Sequence, residues 1–525
     1  MRTYNVALNQ GVDYDAFWNE IETDGSGNTY VPDRSVAIIN ERPSSLRQCW
    51  YELSDAEAEK LRNDPRVYCV EIPPEHRTDI KAEHMVTQTG LYYKGPNTGS
   101  NPNNNLGINW GLFRLFSRTN NTPNSSGTLN YDYVLDGTGV DVVIQDGGCQ
   151  VDHPDFNDAN GVSRVRTVNW YTENGAPPYV LMPPQFYTDY DGHGTHVTGI
   201  AAGKTYGRAK NSRIYIMTVA GLATAPTEGI SGSSAFDLIK GWHERKPIDP
   251  ITGYKRPTVM NMSWGYTYNF SSFVTPAMTG GNYRGTPWIG STKQSQYGMI
   301  GNINQQYGIK VDSVDVDVQE LLSAGVILVG AAGNYYQTLD TTTGPDYNNY
   351  WTDINGDNHY YMQGASPTQP PGVILVGSVD SVAQSGTLEQ KASYSDSGPR
   401  VDVYAPGTDI VSTTSTTNSF GATTQYPYNA SFKICTISGT SMASPNVAGL
   451  VAQLLQLYPG YTPAQIRALV IANSTSNALY STGLSTDYSN SSSLHGGPNR
   501  FAYQAPSNTL NITGAITMTN VSINI

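Results

Sequence analysis

The chain has 525 residues and a formal charge of −13, from 31 Lys and Arg against 44 Asp and Glu. Acidic chains bind phosphate backbones poorly, which excludes nucleic acid as the expected primary partner. No run of about 18 apolar residues occurs, so no membrane span is expected. The length predicts one large domain and one or two small ones.

The first residues, MRTYN, lack the apolar core of a secretory signal. We therefore expect the chain to stay in the cell that makes it, or to leave by lysis, in a particle or by another route. Four cysteines in 525 residues do not make a disulfide scaffold. Cys149 and Cys435 lie in apolar sequence and are expected to be buried, inert thiols, with sensitivity to mercurials as the alternative.

Residues 1–78 are predicted to form a small α+β unit. Ser54 and Glu57 have the spacing of a capping box, which marks the start of a helix. The order of elements is β-α-β-β-α-β, the ferredoxin-like split βαβ plan. The predicted strands are 3–8, 35–40, 49–53 and 66–72, and the predicted helices are 13–21 and 54–63.

Residues 79–130 differ in composition from the unit before them. Segments 95–105 and 119–127 are rich in Gly, Asn, Pro and Ser, which cannot build a core. We expect linker and surface loops here. At the other end of the chain, residues 504–525 alternate apolar residues with Thr and Asn, which predicts a β-like tail.

Residues 131–503 alternate short apolar runs with helical patterns. This predicts an α/β domain in which a parallel sheet is covered by helices on both faces. Stretches near 266–308 and 335–369, rich in Tyr, Gly, Asn and Thr, are expected to be insertions. The predicted strands are 140–144, 213–217, 258–262, 326–329, 373–376 and 401–404, and the predicted helices are 193–203, 233–244, 314–323, 441–457 and 462–472.

Asp146 and His193 are the first candidates for chemistry. Asp146 ends a predicted strand, and α/β sheets bind their ligands at the carboxyl ends of strands, although Asp-Gly is also common in turns. His193 lies in DGHGTHVTG at the predicted start of a helix, where a histidine suits acid–base work. Zinc binding by His193 and His196 is the alternative, but their spacing of three without a Glu between them does not match the usual zinc-protease helix.

Ser441 and Asn334 complete the set. Ser441 begins a predicted helix in SGTSMASPNVAG, where a serine either caps the helix or acts as a nucleophile beside backbone N–H groups. Asn334 ends the run VGAAGN and, taken alone, is a turn residue. All four groups are predicted at one edge of one sheet. A serine needs a base, the base needs a carboxylate to fix its tautomer, and an amide can stabilise an oxyanion, so together they predict a shared hydrolytic site.

Five motifs stand in a fixed order along the chain: VVIQDGGCQVDHPDF, HGTHVTGIAAG, NMSWG, AAGN and GTSMASPNVAGL. They resemble those of subtilisin-like serine proteases, in the order Asp, His, Ser typical of that family. The likeness covers about residues 137–503, and GKTYGRAKNSRIYIM is similar to the proteinase K branch. It implies that Asp146 orients His193, that His193 is the general base and that Ser441 attacks. Asn334 and the backbone N–H of Ser441 would stabilise the oxyanion.

The resemblance also implies a substrate cleft. An extended peptide would add as a strand between residues 261–265 and EGISGSS at 228–234. Trp264 departs from the small or aliphatic residue expected beside the first specificity pocket, which leaves the cleavage preference open. The residues implied for substrate binding are Ser263, Trp264, Gly265, Gly229, Gly232, Ala331, Ala332 and Gly333.

A structural calcium ion is implied by PPGVILVG and RVDVYAPG, which resemble the segments that hold one calcium in proteinase K. Its ligands would be the carbonyl oxygens of Pro371 and Val373 and the carboxylate of Asp402. The alternative is that loop amides satisfy Asp402, since one carboxylate supplies little charge for calcium. The longer calcium loop of subtilisin is absent from residues 203–217, so we expect no site there.

Residues 1–78 resemble the prodomain of the same family through YELSDAEAEKLRNDPRVYCVEI, and NWGL at 109–112 resembles the start of a mature enzyme. The resemblance implies an intramolecular chaperone and inhibitor whose last strand ends in the cleft. Because an exposed linker follows that strand, we expect self-cleavage between about residues 73 and 105.

The expected function is that of a serine endopeptidase that acts on proteins or peptides and is made as a self-processing zymogen. The alternative is a non-catalytic protein of the same fold, such as a structural or adhesive component of a virion. Low charge, at 14% of residues, and insertions rich in Asn, Tyr and Gly favour that alternative, because they resemble viral tail proteins. A carbohydrate hydrolase would need paired carboxylates on a cleft, and no such pair stands out.

Overall fold

A computed structural model gives the fold of the chain. It describes residues 1–23, 28–41, 45–84, 88–89, 109–119, 133–177, 180–222, 229–269, 278–291, 295–299, 306–385, 388–420, 423–480 and 493–504. The predicted tail beyond residue 504 and most of the predicted linker lie outside these residues. No helix within the described ranges combines the length and the apolarity needed to cross a membrane.

The amino-terminal unit is an antiparallel sheet with two helices. Its elements are β1 (Arg2–Leu8), α1 (Tyr14–Glu22), β2 (Ile38–Glu41), β3 (Gln48–Leu53), α2 (Asp55–Arg62) and β4 (Val67–Glu71). The strand order β2-β3-β1-β4 is that of the split βαβ plan. Both bonds of the Ser54–Glu57 capping box are formed. The unit has a core of its own, to which Phe17, Ile21 and Leu61 contribute.

Part of the predicted linker is folded. It contains β5 (Ile80–His84), β6 (Gln88–Thr89) and α3 (Trp110–Arg114). Ile80 and Trp110 are buried, and each joins a core of the following domain. Composition missed these elements because their apolar partners lie in distant parts of the chain.

The large domain follows. Its elements in chain order are β7 (Asp141–Asp146), α4 (Trp170–Glu173), α5 (His193–Ala202), β8 (Arg213–Thr218), α6 (Gly232–Arg245), β9 (Thr258–Met262), β10 (Trp264–Asn269), β11 (Met278–Tyr283), β12 (Thr286–Ile289), β13 (Gln306–Gly308), α7 (Asp312–Ser323), β14 (Ile327–Ala331), β15 (Tyr350–Asp353), β16 (Asn358–Tyr360), β17 (Ile374–Ser385), β18 (Leu388–Lys391), β19 (Val403–Pro406), β20 (Ile410–Thr414), β21 (Thr423–Tyr426), β22 (Asn429–Ser438), α8 (Thr440–Leu457), α9 (Pro463–Asn473), β23 (Thr475–Ser476), β24 (Leu479–Tyr480) and β25 (Arg500–Phe501).

The central sheet has the strand order β23-β25-β19-β17-β14-β9-β7-β8, and the pairs from β19 to β8 are parallel. Val142 and Ile144 of β7 lie in the core that includes α5 and α8, whereas Val143 lies in the core that includes α6 and α7. The predicted α/β sheet with helices on both faces is confirmed. The chain order reverses between β7 and β9, and α/β sheets bind ligands at the carboxyl ends of strands beside such a reversal.

The two predicted insertions meet in one antiparallel sheet. β11 and β12 come from the first insertion and β15 and β16 from the second, in the order β12-β11-β15-β16. Gly281 of β11 pairs with Trp351 of β15. Each insertion thus supplies two strands of the same sheet. The sequence of neither insertion indicates that the two would pair.

The amino-terminal unit touches the large domain at two helix starts. Glu71 accepts the backbone N–H of Ser313 in the first turn of α7, at 2.5 Å. Glu75 accepts the hydroxyl of Ser233 in the first turn of α6, at 2.7 Å. Neither helix receives a bond from the side chain of its own N-cap residue. Carboxylates at helix N-termini bond the unpaired N–H groups and interact favourably with the helix dipole, so the amino-terminal unit caps both helices.

The folded part of the linker is anchored by a buried ion pair. Arg114 of α3 makes two bonds to Glu389 of β18, at 2.6 and 2.7 Å, and their side chains are 1% and 0% exposed. The guanidinium also lies 3.8 Å from the centroid of the Phe501 ring. Removing one partner of a buried pair leaves an uncompensated charge, which is strongly destabilising.

We expect Arg114→Ala to lower the free energy of unfolding by about 3–5 kcal/mol, because the Glu389 carboxylate would stay buried without this partner. The double variant with Arg114→Met and Glu389→Leu should recover most of the loss, since it buries no charge. Urea denaturation followed by tryptophan fluorescence measures both. A double variant as unstable as the single one would contradict the interpretation.

Candidate active site

The carboxylate of Asp146 and the ring of His193 meet at the carboxyl edge of the sheet. Asp146 is the last residue of β7 and His193 is the first of α5. Asp146 Oδ1 lies 2.9 Å from His193 Nδ1 and accepts the backbone N–H of Gly147 at 2.8 Å, and neither side chain is exposed. Because the carboxylate accepts a hydrogen bond from Nδ1–H, the proton of the neutral ring lies on Nδ1 and Nε2 is the basic atom.

Glycines allow the start of α5 to come this close. Gly192, in the N-cap position, has a φ of +91°, in the left-handed region that favours glycine. A side chain at Gly194 would collide with the carbonyl oxygen of Gly148. Gly194 is therefore required by the close approach of the helix to the end of β7, and Gly192 by its left-handed backbone.

Two further carboxylates, which were not predicted as site residues, hold the loop before His193. Asp189 is buried and accepts the backbone N–H groups of Gly192 and Thr195 at 2.7 and 2.9 Å. Asp191 accepts the backbone N–H of His193 at 2.9 Å. Burial, and then the nearby Asp191 charge, raises the pKa of Asp189 to about 6. The sequence feature that could have revealed them is a pair of acidic residues just before the histidine motif, in a chain in which only 14% of residues are charged.

Ser441 lies in the first turn of α8 and exchanges hydrogen bonds with Ser263. Ser441 Oγ donates to the carbonyl oxygen of Ser263, and Ser263 Oγ donates to the carbonyl oxygen of Ser441, both at 2.9 Å. Ser263 follows β9, which is the neighbour of β7 in the sheet. In this conformation the hydroxyl proton is directed at Ser263, so Ser441 must rotate before a base can take that proton.

Asn334 follows β14 and lies beside the start of the same helix. Its Oδ1 accepts the backbone N–H and the hydroxyl of Thr440, each at 2.9 Å. These bonds fix the amide so that its NH₂ group points away from Thr440. The neighbouring Gly333 has a φ of +116°, and its N–H donates to Thr440 Oγ1 at 3.2 Å. Thr440, which directly precedes Ser441, therefore links Asn334 to the start of α8 by hydrogen bonds.

His196 does not share the environment of His193. Its Nε2 lies 3.1 and 3.2 Å from the carbonyl oxygens of Ile410 and Cys435, so that nitrogen is a donor and not a metal ligand. Burial, together with the nearby His193, lowers the pKa of His196 to about 3. The zinc alternative has no support here. Cys149 and Cys435 are buried and unbridged, as expected.

The strand assigned to substrate binding pairs with the chain's own β5. His84 lies opposite Trp264 and Glu83 opposite Gly265, in antiparallel register. The Trp264 indole is fully buried and packs on Tyr266 with ring centroids 5.4 Å apart. Trp264 therefore presents its backbone, and not its indole, to a paired strand.

The remaining residues predicted to bind substrate lie near this strand or at the end of β14. Ile230, next to Gly229, bridges Val219 beyond the end of β8, and Glu228 lies outside the described residues. Gly232 begins α6, where an added Cβ would meet the Tyr266 hydroxyl at 2.8 Å. Ala331 ends β14, and both it and Ala332 are buried.

The second short strand of the linker, β6, pairs with β22 close to Ser441 in the chain. Gln88 of β6 lies opposite Ser438, the last residue of β22, and Ser438 precedes Ser441 by three residues. β5 thus pairs with β10, which begins directly after Ser263, and β6 pairs with β22, which ends three residues before Ser441. Residues 85–87, which join them, are outside the described part of the chain.

The residues present do not fit the calcium ion that the resemblance implied. Arg400 donates to the carbonyl oxygens of Gln369, Pro370 and Val373 at 2.7, 2.8 and 3.0 Å. Arg467 forms a two-point pair with Asp402, with bonds of 2.5 and 3.0 Å. Two of the three expected ligands are therefore engaged by guanidinium groups. Across the described ranges, no cluster of three or more His, Cys, Asp or Glu could hold a metal ion.

Comparison with known proteins identifies the same family from the sequence and related enzymes among its relatives. The subtilase family (peptidase S8) matches residues 137–498. An extracellular serine proteinase of Thermus sp. strain Rt41A is 27% identical over 441 residues, or 84% of this chain and 74% of that protein. A cuticle-degrading serine protease of Arthrobotrys oligospora is 26% identical over 395 residues, or 75% and 67%. Fervidolysin from Fervidobacterium pennivorans, a keratinolytic enzyme related to subtilisin, shares the fold, with a TM-score of 0.51, 18% identity and coverage of 95% of this chain and 60% of its own.

Because guanidinium groups take the place of the implied cation, we expect calcium not to stabilise the protein through Asp402. Thermal unfolding in excess chelator and in millimolar calcium measures this. Arg400→Ala should lower the unfolding midpoint in both conditions, since it leaves buried carbonyl groups without donors, at about 1–3 kcal/mol each. A calcium-dependent rise in the wild-type midpoint that Asp402→Asn removes would contradict the expectation.

Proposed function

Since the chain belongs to the subtilase family, we propose that this serine endopeptidase uses Asp146, His193 and Ser441 as its catalytic triad. The observation that carries the proposal is the buried 2.9 Å contact between Asp146 Oδ1 and His193 Nδ1. It supports a ring whose tautomer is fixed with Nε2 basic, which is the state a general base requires.

Catalysis begins with a rotation of Ser441. Its hydroxyl leaves the Ser263 carbonyl and turns towards His193 Nε2, which takes the proton as Oγ attacks the scissile carbonyl carbon. The Asp146 carboxylate then stabilises the imidazolium without being protonated itself. His193 returns the proton to the leaving amine, and water repeats the sequence on the acyl-enzyme.

The oxyanion is bound by Asn334 and the start of α8. Two bonds from Thr440 orient the Asn334 amide, which supports its NH₂ group as one donor. The backbone N–H of Ser441, in the first turn of α8, is the second donor. Donors that are already oriented need no reorganisation as charge develops, and the loss of one typically costs about 100- to 1000-fold in kcat.

The substrate is an extended peptide that adds to β10 as β5 does. β5 pairs with residues Trp264–Tyr268 in antiparallel register, so the strand accepts a partner through its backbone. Main-chain pairing of this kind binds many sequences and leaves selectivity to the side-chain pockets. This supports proteins and peptides as the substrate class.

The amino-terminal unit acts as chaperone and inhibitor of the enzyme. Glu71 and Glu75 cap two helices that lack side-chain caps of their own, which supports assistance in folding. β5, which follows this unit in the chain and stays attached to it when the chain is cut after His84, pairs with the strand that a substrate would use, which supports inhibition. The enzyme is therefore made as a zymogen.

The zymogen cleaves itself between His84 and Gln88. β5 pairs with the strand that follows Ser263, and β6 pairs with Ser438, which supports a cut in the segment between β5 and β6. This narrows the window of 73–105 that the sequence alone suggested. Cleavage here leaves α3, with its buried Arg114–Glu389 pair, attached to the large domain.

We expect Ser441→Ala to remain an intact 57.0 kDa chain that a fluorophosphonate does not label, because the variant lacks the nucleophile. The wild type should be labelled and should yield a new amino terminus between residues 85 and 88. Ser444→Ala, on the same helix, is the matched control and should keep both properties. Mass spectrometry and amino-terminal sequencing measure the outcome.

Cutting of the Ser441→Ala chain at the same bond would contradict self-cleavage. A wild-type chain that is not labelled would favour the alternative, a structural protein of the same fold.

We expect the double variant with Glu71→Ala and Glu75→Ala to give a lower yield of active enzyme on refolding, because α6 and α7 lose caps that contribute about 1 kcal/mol each. Glu59→Ala, an exposed carboxylate of the same unit, is the control and should refold like the wild type. Active-site titration of the refolded protein measures the yield. Equal yields in all three proteins would contradict the chaperone role.

A further inference from the structure

One buried aspartate bonds the backbone on both sides of Asn334, through its side chain on one side and its own backbone N–H on the other. Asp396 is 2% exposed, and its Oδ1 accepts the backbone N–H groups of Tyr335 and Gln337, each at 2.8 Å. The backbone N–H of Asp396 donates to the carbonyl oxygen of Gly333 at 2.9 Å. Asp396 therefore bonds the residue before Asn334, the residue after it and the residue three positions after it.

The fit is close enough to constrain the sequence of the loop. Gly333 has a φ of +116°, and a side chain there would collide with the Asp396 carboxylate. On the other side of the loop, Thr440 fixes the Asn334 side chain through the two bonds to Oδ1. Asp396 thus fixes the backbone of the loop, and Thr440 fixes the direction of the amide.

The carboxylate is stabilised by local bonds and a buried lysine. Burial raises the pKa of Asp396 to about 7, and the N–H groups of Gln337 and Tyr335 and the charge of Lys391 act in the opposite direction. Lys391 is 1% exposed and donates to the carbonyl oxygens of Ala392 and Ser395, each at 3.0 Å. Burying a carboxylate is costly unless its oxygens accept hydrogen bonds, and Asp396 Oδ1 accepts two of them from the Asn334 loop.

We propose that Asp396 is a positioning residue for peptide hydrolysis: it holds residues 333–337 so that the Asn334 amide stays aimed at the oxyanion. This rests on the proposed role of Asn334 as an oxyanion donor. Asp396 itself does not touch the substrate. Its effect passes through Asn334, so it should appear in kcat far more than in KM.

The test is a double-mutant cycle between Asp396 and Asn334. We expect Asp396→Ala to lower kcat about 10- to 100-fold with KM nearly unchanged, because small displacements of an aligned donor are costly. In the Asn334→Ala background, Asp396→Ala should lower kcat no further. The rates are measured on a peptide substrate, with the concentration of active sites titrated by a fluorophosphonate.

Asp340→Ala is the matched control. Asp340 is also buried and accepts two backbone N–H groups, those of Thr341 and Asp346, each at 2.8 Å, but it does not bond residues 333–337. Its loss should reduce stability and leave kcat per active site unchanged. An equal loss of kcat in Asp340→Ala would overturn the proposal, because the effect would then be one of general stability.

Asp396→Asn serves where Asp396→Ala does not fold. It keeps an acceptor oxygen but loses the charge, and charge-assisted bonds are roughly twice as strong, so we expect a smaller loss of kcat that again vanishes with Asn334→Ala. Equal factors in both backgrounds would overturn the proposal. If Asn334→Ala alone leaves kcat unchanged, the oxyanion role of Asn334 fails, which is distinct from a failure of Asp396 to act through it.

Discussion

A carboxylate excluded from water at the end of a central strand is the constraint on which the site depends. A buried charge is expensive unless hydrogen bonds surround it, and Asp146 obtains them from Gly147 and the His193 ring. The ring can reach Asp146 only if α5 begins close against β7. That approach places Gly194 directly against the Gly148 carbonyl group, where no side chain fits. Gly194 in the histidine motif is therefore needed for the contact between the Asp146 carboxylate and the His193 ring.

Buried carboxylates also bond the backbone of the loops that carry the site residues. These loops leave the sheet and have few ladder partners for their backbone N–H groups, so side chains must satisfy them. Asp189 does this before His193, and Asp396 does it around Asn334. Only 14% of the residues are charged, and several of the carboxylates are used inside the protein. Rigid loops built in this way can hold donors and acceptors in place before substrate arrives.

The amino-terminal unit meets the large domain at features that are incomplete without it. The starts of α6 and α7 receive no bond from their own N-cap side chains, and Glu75 and Glu71 bond N–H or hydroxyl groups there. β10 pairs with β13 on one side and with β5 on the other. An edge strand offers backbone groups to any extended partner, so the surface that binds β5 is also the one proposed to bind a substrate. At the implied calcium site, by contrast, the Arg400 guanidinium of the large domain itself bonds the carbonyl oxygens of Pro370 and Val373.

Local sequence patterns were enough to predict the main helices, the parallel strands and the candidate site residues. Short apolar runs predicted the six parallel strands of the central sheet, and helical patterns predicted α5 to α9. The capping box predicted the start of α2, and the motifs around Asp146, His193, Asn334 and Ser441 predicted the candidate site. These signals are local, because each is carried by neighbouring residues. Other features could be seen only in the folded chain: β5 pairs with β10, and the two insertions share a sheet. Guanidinium groups bond two of the three implied calcium ligands, and Asp396 bonds a residue 61 positions earlier. Such contacts join distant segments whose own sequences are compatible with many partners, and close packing of the whole chain selects among them.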